Sequence, residues 1–305
     1  MLGVAVRFAL YLDLMVALGV PAFVLLGPRG VGDAMPFRAL LLVSGVVGAV
    51  LSVIGLLSLA GSMAGVPILE VDRETTSMIL TETSTGTAWI VRMVALAAIV
   101  AVSLSSRTQE VTRLVAAAGA GGIALATLAW TGHGAMDEGG IGWLHLVADI
   151  AHLLAAGVWI GALLSLVLLV TRRRHRADAV HITLTHGALE GFSRTGSVVV
   201  ATIVISGLVN LWLLVGWAGL PLLPSTLYGQ LLLAKLALFI GMLFLAAANR
   251  FRLTPGLERA MAGGDHGAAI LALRKSLVVE AACAIAILAL VAWLGTLEPL
   301  APMSA

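Results

Sequence analysis

Residues 142–170 read GWLHLVADIAHLLAAGVWIGALLSLVLLV. A membrane-spanning helix needs about 20 mostly apolar residues, and this stretch exceeds that length, with room to tilt or protrude. Its only ionisable side chains are His145, Asp149 and His152, spaced four and three residues apart. At 3.6 residues per turn, that spacing sets all three on one stripe of a helix. A charge in hydrocarbon is costly, so ionisable groups inside a span face a protein interior or a water-filled cavity and mark function. One stretch therefore predicts both a spanning helix and a polar face within it.

Apolar runs of this kind recur along the chain. Eight qualify as spans, at roughly Val4–Leu26, Ala39–Leu59, Ala88–Leu104, Val111–Trp130, Gly142–Val170, Val198–Trp217, Tyr228–Ala248 and Leu277–Leu297. A transmembrane barrel would instead show alternating segments of about ten residues, and none appear. The expected fold is all-α, with eight transmembrane helices. The first run is too long for a signal-peptide core and has no small-residue cleavage site after it, so it reads as a retained span.

Composition agrees. Of the 305 residues, 60% are hydrophobic and 11% charged, against about 25% charged in soluble domains. That excludes a soluble enzyme, a disordered chain and a nucleic-acid binder. The pI near 9.1 reflects arginines in the loops between apolar runs, which in a membrane protein report orientation. The single cysteine, Cys283, excludes a disulfide framework and multi-cysteine metal sites. There is no P-loop, so ATP is not the expected energy source.

The loops after spans 1, 3, 5 and 7 hold fourteen of the eighteen Lys and Arg residues, among them Arg29, Arg107, Arg172–Arg174, Arg194, Arg250 and Lys275. The loops after spans 2, 4 and 6 hold one, Arg73. The positive-inside rule places the odd loops in the cytoplasm and both termini outside. The acidic loops Glu70–Glu82 and Asp137–Glu138 then face out. The sequence also suggests a tandem 4+4 repeat, with halves at 1–141 and 142–305. Gly19-Val20 in span 1 resembles Gly157-Val158 in span 5. Gly86 precedes Arg92 by six residues, as Gly229 precedes Lys235. Four helices per unit give both halves the same orientation.

Polar residues carry the functional reading. With span 5 entering from outside, the His145–Asp149–His152 stripe lies in the outer half of the membrane. The two histidines are separated by about 10 Å along the axis, too far for both to bind one ion through bonds of about 2 Å. They suit two successive stations, with Asp149 orienting either imidazole. His133 follows span 4 and sits at the mouth above His145. Met136 adds a soft thioether beside it, and Asp137 and Glu138 attract cations. Imidazole suits copper in either oxidation state, and thioether favours Cu(I). Further candidates for transport or pairing are Asp13 in span 1, Arg92 in span 3, Lys235 in span 7 and Glu280 in span 8. Asp13 requires a partner, for which Arg92 and Lys235 are both candidates. Arg7 and Lys235 have the length to snorkel. Glu280 reads as an exit ligand, a proton acceptor or the partner of a cytoplasmic arginine. The tract of His175, His181 and His186 lies among arginines that repel cations and reads as a solvated loop.

The second half resembles the CopD family of bacterial copper-resistance inner-membrane proteins. The resemblance rests on His152-Leu-Leu-Ala-Ala-Gly-Val-Trp-Ile-Gly161, on Phe192-Ser-Arg194 leading into span 6, and on Tyr228-Gly-Gln-Leu-Leu-Leu-Ala-Lys235 through Ala248-Asn-Arg-Phe-Arg-Leu-Thr-Pro255, with Glu280 after Arg274-Lys-Ser276. The front half fits through Gly86-Thr-Ala-Trp89 with Arg92, and through Gly132-His133. The resemblance implies copper homeostasis without enzymatic chemistry, with copper ions moved across the inner membrane, often beside a periplasmic CopC-like carrier. The competing reading is a membrane haem protein moving electrons through axial histidines. His145 and His152 share a helix and cannot both ligate one haem, whereas His133 and His145 could if span 4 were extended.

Overall fold

A computed structural model describes residues 2–106, 108–131, 139–171, 179–263 and 267–298. Ten α-helices account for most of them: α1 (Leu2–Leu26), α2 (Phe37–Ala64), α3 (Arg73–Glu82), α4 (Ser84–Leu104), α5 (Glu110–Ala126), α6 (Gly139–Thr171), α7 (Ala179–Gly219), α8 (Leu227–Ala248), α9 (Thr254–Ala262) and α10 (Gly267–Leu294). Among the described residues eight helical segments are long and apolar enough to cross a membrane; α3 lies outside them, and the seventh, Leu227–Met261, runs from α8 into α9.

The helix ends follow from local chemistry. Helix α2 stops where Gly65 takes a left-handed φ of 69°, which a glycine adopts without a Cβ penalty. Helix α4 opens on Thr83, whose hydroxyl accepts from Gly86 N–H at 3.0 Å. Helix α8 opens the same way, Thr226 accepting from Gly229 N–H at 3.1 Å. At the other end of α4, Arg113 is buried and donates to the carbonyls of Val102, Ser105 and Thr108 at 3.2, 2.9 and 2.7 Å. Arg38 reaches the Ser103 and Ser105 carbonyls at 3.0 and 3.2 Å. Two cations thus satisfy carbonyls at the helix's negative end.

Two segments differ from the sequence expectation. The acidic stretch 70–82 is not a loop: Asp72 caps α3 by accepting from Thr75 N–H at 2.6 Å. Helix α7 begins some twenty residues before the apolar run at Val198. That early part is amphipathic, burying Ile182, Thr185, Ala188 and Leu189, so its mean hydropathy hides a helix that its periodicity supports. His181 lies on it, buried, with Nε2 at 3.0 Å from the Leu169 carbonyl. It is a packed helix residue and not part of a solvated loop.

Helix α1 is the hub, packing against α2, α5, α6 and α10. Lipid tails are as apolar as leucine, so helices associate through close van der Waals packing and hydrogen bonds more than through water exclusion. The closest packing is between α1 and α6, where a Cβ on Gly19 would collide with the backbone of Gly157 and Gly161. On α5, a Cβ at Gly121 would lie 2.7 Å from Ala17 backbone atoms. Glycine is needed at both contacts because the backbones themselves touch. The outward faces carry exposed side chains such as Val43, Val50, Ile205, Leu208 and Phe244, as expected of a surface solvated by lipid.

Candidate functional site

Helices α1, α6, α7, α8 and α10, with Leu128 and Ala129 of the turn after α5, line a partly open cavity of about 340 Å³. His145, Asp149 and His152 all line it from α6, so the stripe read from spacing faces this space. His145 is only 1% exposed. Asn210 of α7 and Lys235 of α8 line the same space, as do Arg7 and Tyr11 of α1. Arg7 donates from Nη1 to the Gly295 carbonyl, which closes the end of α10 over the cavity. At the opposite end the lining is apolar and includes Trp159, Phe239 and Met242. The Trp159 and Phe239 rings meet edge to face, centroids 6.5 Å apart at 61°.

Two hydrogen bonds from α7 hold the stripe. Asn210 Nδ2 donates to Asp149 Oδ1 at 2.7 Å. His152 Nδ1 lies 3.0 Å from Ser206 Oγ. Ser206 Oγ itself donates to the Thr202 carbonyl at 2.6 Å. A hydroxyl has one proton, so it accepts from His152, and Nδ1 carries the ring proton. The lone pair of His152 is then on Nε2, the arrangement a neutral imidazole needs to bind a metal ion. Asn210 and Ser206 are four apart on α7, and Asp149 and His152 three apart on α6, paired in reverse order. Two antiparallel helices present matched polar faces.

The remaining candidates separate from this cavity. Asp13 pairs with neither Arg92 nor Lys235. It faces α2, where a Cβ on Gly48 would lie 2.6 Å from its Oδ2, an oxygen with no hydrogen-bond partner among the described residues. Arg92, 4% exposed, donates from Nε to Thr127 Oγ1 at 2.8 Å, a partner in the turn that follows α5. Glu280, 3% exposed, forms no ion pair with an arginine among the described residues. It accepts instead from Trp159 Nε1 at 3.1 Å and from Asn249 Nδ2 at 2.8 Å. His133, Met136, Asp137 and Glu138 lie outside the described residues, as does His175. Among the described residues no three His, Cys, Asp or Glu side chains converge on one point where a metal ion could be held.

Ser206, Tyr11, Trp159, Asn249 and Thr127 were not singled out from the sequence. A signal existed for one: Ser206 lies one turn before Asn210, on the same face of α7. The others depend on which helices meet.

Residues 1–143 match the family described as copper resistance protein D-like, N-terminal domain, and residues 186–294 match copper resistance protein D. The chain is 43% identical to copper resistance protein D of Pseudomonas syringae pv. tomato, over 98% of this chain and 97% of that protein.

The chain belongs to the copper resistance protein D family.

Within that family setting, it is also 32% identical to the inner membrane protein YebZ of Escherichia coli over 56% of this chain and 55% of that protein. It is 34% identical to the copper transport protein CutJ of Bacillus subtilis over 40% of this chain and 21% of that protein. No solved structure matches it. With eight apolar spans and this membership, the chain is a multi-pass inner-membrane copper resistance protein of the CopD type.

Proposed function

We propose that this CopD-family chain carries copper inward across the membrane, from the periplasmic side through the α6 cavity, without covalent chemistry. Copper enters near His133 and Met136, passes to His145 and then to His152, with Asp149 between the two histidines as the fixed counter-charge. The observation that carries this reading is the pairing of α6 with α7: His152 is held with Nε2 as its lone-pair nitrogen, and Asp149 is held by Asn210, both on one cavity wall. Few ligands at each station suit transit, since a carrier must bind an ion and also release it. Arg7 and Lys235 in the same wall oppose long residence of a cation. The acidic loop at Asp137–Glu138 suits delivery by a periplasmic copper carrier of the CopC kind.

The direction rests on the fourteen-to-one distribution of loop Lys and Arg, which puts the stripe in the outer half. The 4+4 repeat has further support from local geometry. Helices α1 and α6, equivalent in such a repeat, meet at their matching glycines, Gly19 and Gly157. Helices α4 and α8 open on the same motif, a threonine cap three residues before glycine and nine before a cation, Arg92 in one and Lys235 in the other. In both, a Cβ on that glycine would strike the preceding backbone. Copper uptake into right-side-out membrane vesicles, with and without the chain, tests the reading. Copper entry that depends on the chain supports it, and equal entry without the chain refutes it.

A further inference from the structure

Below the cavity floor lies a second buried polar group that the copper path does not use. Trp159 lines the cavity, and its indole N–H reaches out of it to Glu280 Oε1. Glu280 Oε2 accepts from Asn249 Nδ2. Asn249 opens the π-helical turn Asn249–Leu253 at the C-terminal end of α8, and single π turns recur at functional sites. Glu280 is 3% and Asn249 7% exposed. Two further buried oxygens, Asn249 Oδ1 and Ser276 Oγ, have no partner among the described residues. Ser276 is one helical turn before Glu280, on the same face of α10.

A buried carboxylate requires a compensating cation or a proton. The helices packed on α10 supply no cation here. On α1 the ionisable groups are Arg7, Tyr11 and Asp13, all in the first half of that helix, and on α6 His145, Asp149 and His152, seven or more residues before Trp159. On α8 they are Tyr228 and Lys235, fourteen or more residues before Asn249. In the π turn, Arg250 and Arg252 are exposed, and Arg250 donates to Ser197 Oγ. On α9, Glu258 and Arg259 are exposed, as are Arg274 and Lys275 on α10 itself. The nearest titratable neighbour along α10 is Cys283, less than a turn away.

We propose that Glu280 is the proton-exchange site of this protein, taking a proton from the cavity side and releasing it toward the cytoplasm as copper moves inward. The hydrogen bonding suits both states. As a carboxylate, Glu280 accepts from Trp159 and from the Asn249 amide. As an acid, its O–H donates to Asn249 Oδ1 after the amide turns over, while the other oxygen still accepts from Trp159. On uptake a hydronium ion on the cavity side gives its proton to Glu280 Oε2, its O–H bond breaking and water leaving; on release the carboxyl O–H bond breaks, the electron pair stays on the carboxylate, and the proton passes to water at the π turn. Trp159 links the two processes, because the side chain that floors the copper cavity is bonded to the carboxyl.

This inference rests on the copper-transfer reading and is tested separately from it. Right-side-out vesicles holding the full chain or Glu280→Gln take up added copper with the outer pH constant, so that outer histidines are unaffected, while the inner pH is raised. The parent is expected to speed up several-fold. Glu280→Gln, which keeps an acceptor for Trp159 and an amide for Asn249, is expected to show copper entry that no longer responds. Equal acceleration in both, or slowing or no response in the parent, overturns the proposal. A second arm needs no copper: infrared titration of the purified protein across the neutral range shows a carboxyl C=O band that Glu280→Gln lacks. Identical spectra overturn the proposal. No copper entry in the parent overturns the transfer reading and the coupling with it.

Discussion

The imidazole of His152 and the hydroxyl of Ser206 are joined across α6 and α7 at 3.0 Å, and the hydroxyl's own proton is committed to the Thr202 carbonyl. This sets the tautomer of His152 and leaves its lone pair on Nε2, the nitrogen that would meet copper on the proposed path. Ser206→Ala removes the hydroxyl that orients the ring and leaves the imidazole itself unchanged. Copper uptake by Ser206→Ala is expected to fall about tenfold, the lower end of the usual effect of removing an orienting partner, whereas His152→Ala abolishes it. Uptake rates at matched protein level measure the difference.

Asp149 and Asn210 support a graded prediction. Asp149→Asn keeps an oxygen to accept from Asn210 Nδ2, so copper handling weakens but persists. Asp149→Ala leaves that buried donor unmatched. Its fold is expected to lose about 1–3 kcal/mol in detergent unfolding as well as copper uptake.

The eight spans and the polar stripe were legible because hydropathy and period are local properties of a sequence. His145, Asp149 and His152 fall on one face whatever surrounds them. The partners were less legible. That Asn210 meets Asp149, or that Arg92 meets Thr127 and not Asp13, depends on how far each helix is rotated and shifted against its neighbour. Those quantities are set by backbone contacts such as Gly19 against Gly157. The early part of α7 escaped a hydropathy reading because its buried stripe alternates with polar residues. The acidic stretch holding α3 looked like a loop because few of its residues are buried.

Arg92 and Thr127 tie α4 to the turn after α5. Thr127 Oγ1 donates to the Ala124 carbonyl at 2.6 Å and accepts from Arg92 Nε. Thr127→Val leaves a buried guanidinium nitrogen without its acceptor, and a loss of about 1–3 kcal/mol is expected. Thermal unfolding in detergent measures it. Copper uptake per folded molecule should be unchanged, because neither residue is one of the copper stations.

Outside the membrane, Asp72 carries a pH dependence. The Thr75 backbone N–H that it accepts holds its carboxyl below the ordinary aspartate range. A lowered value in the fold favours the ionised cap, so its contribution to α3 is present above about pH 3.9. It is lost as the pH falls through the lower folded value. Protection of the amides in the first turn of α3, relative to an unstructured peptide at the same pH, is expected to fall in acid, and Asp72→Ala to show low protection at every pH.

If copper crosses along the α6 stripe, removing both imidazoles in the His145→Ala, His152→Ala double variant closes the path. Copper entry into right-side-out vesicles is compared with the parent at equal amounts of folded protein, with His186→Ala, on the early part of α7, as control. The double variant is expected to fall to the level of vesicles lacking the chain while His186→Ala matches the parent. Parental copper entry in the double variant would contradict it and leave the stripe a packing feature.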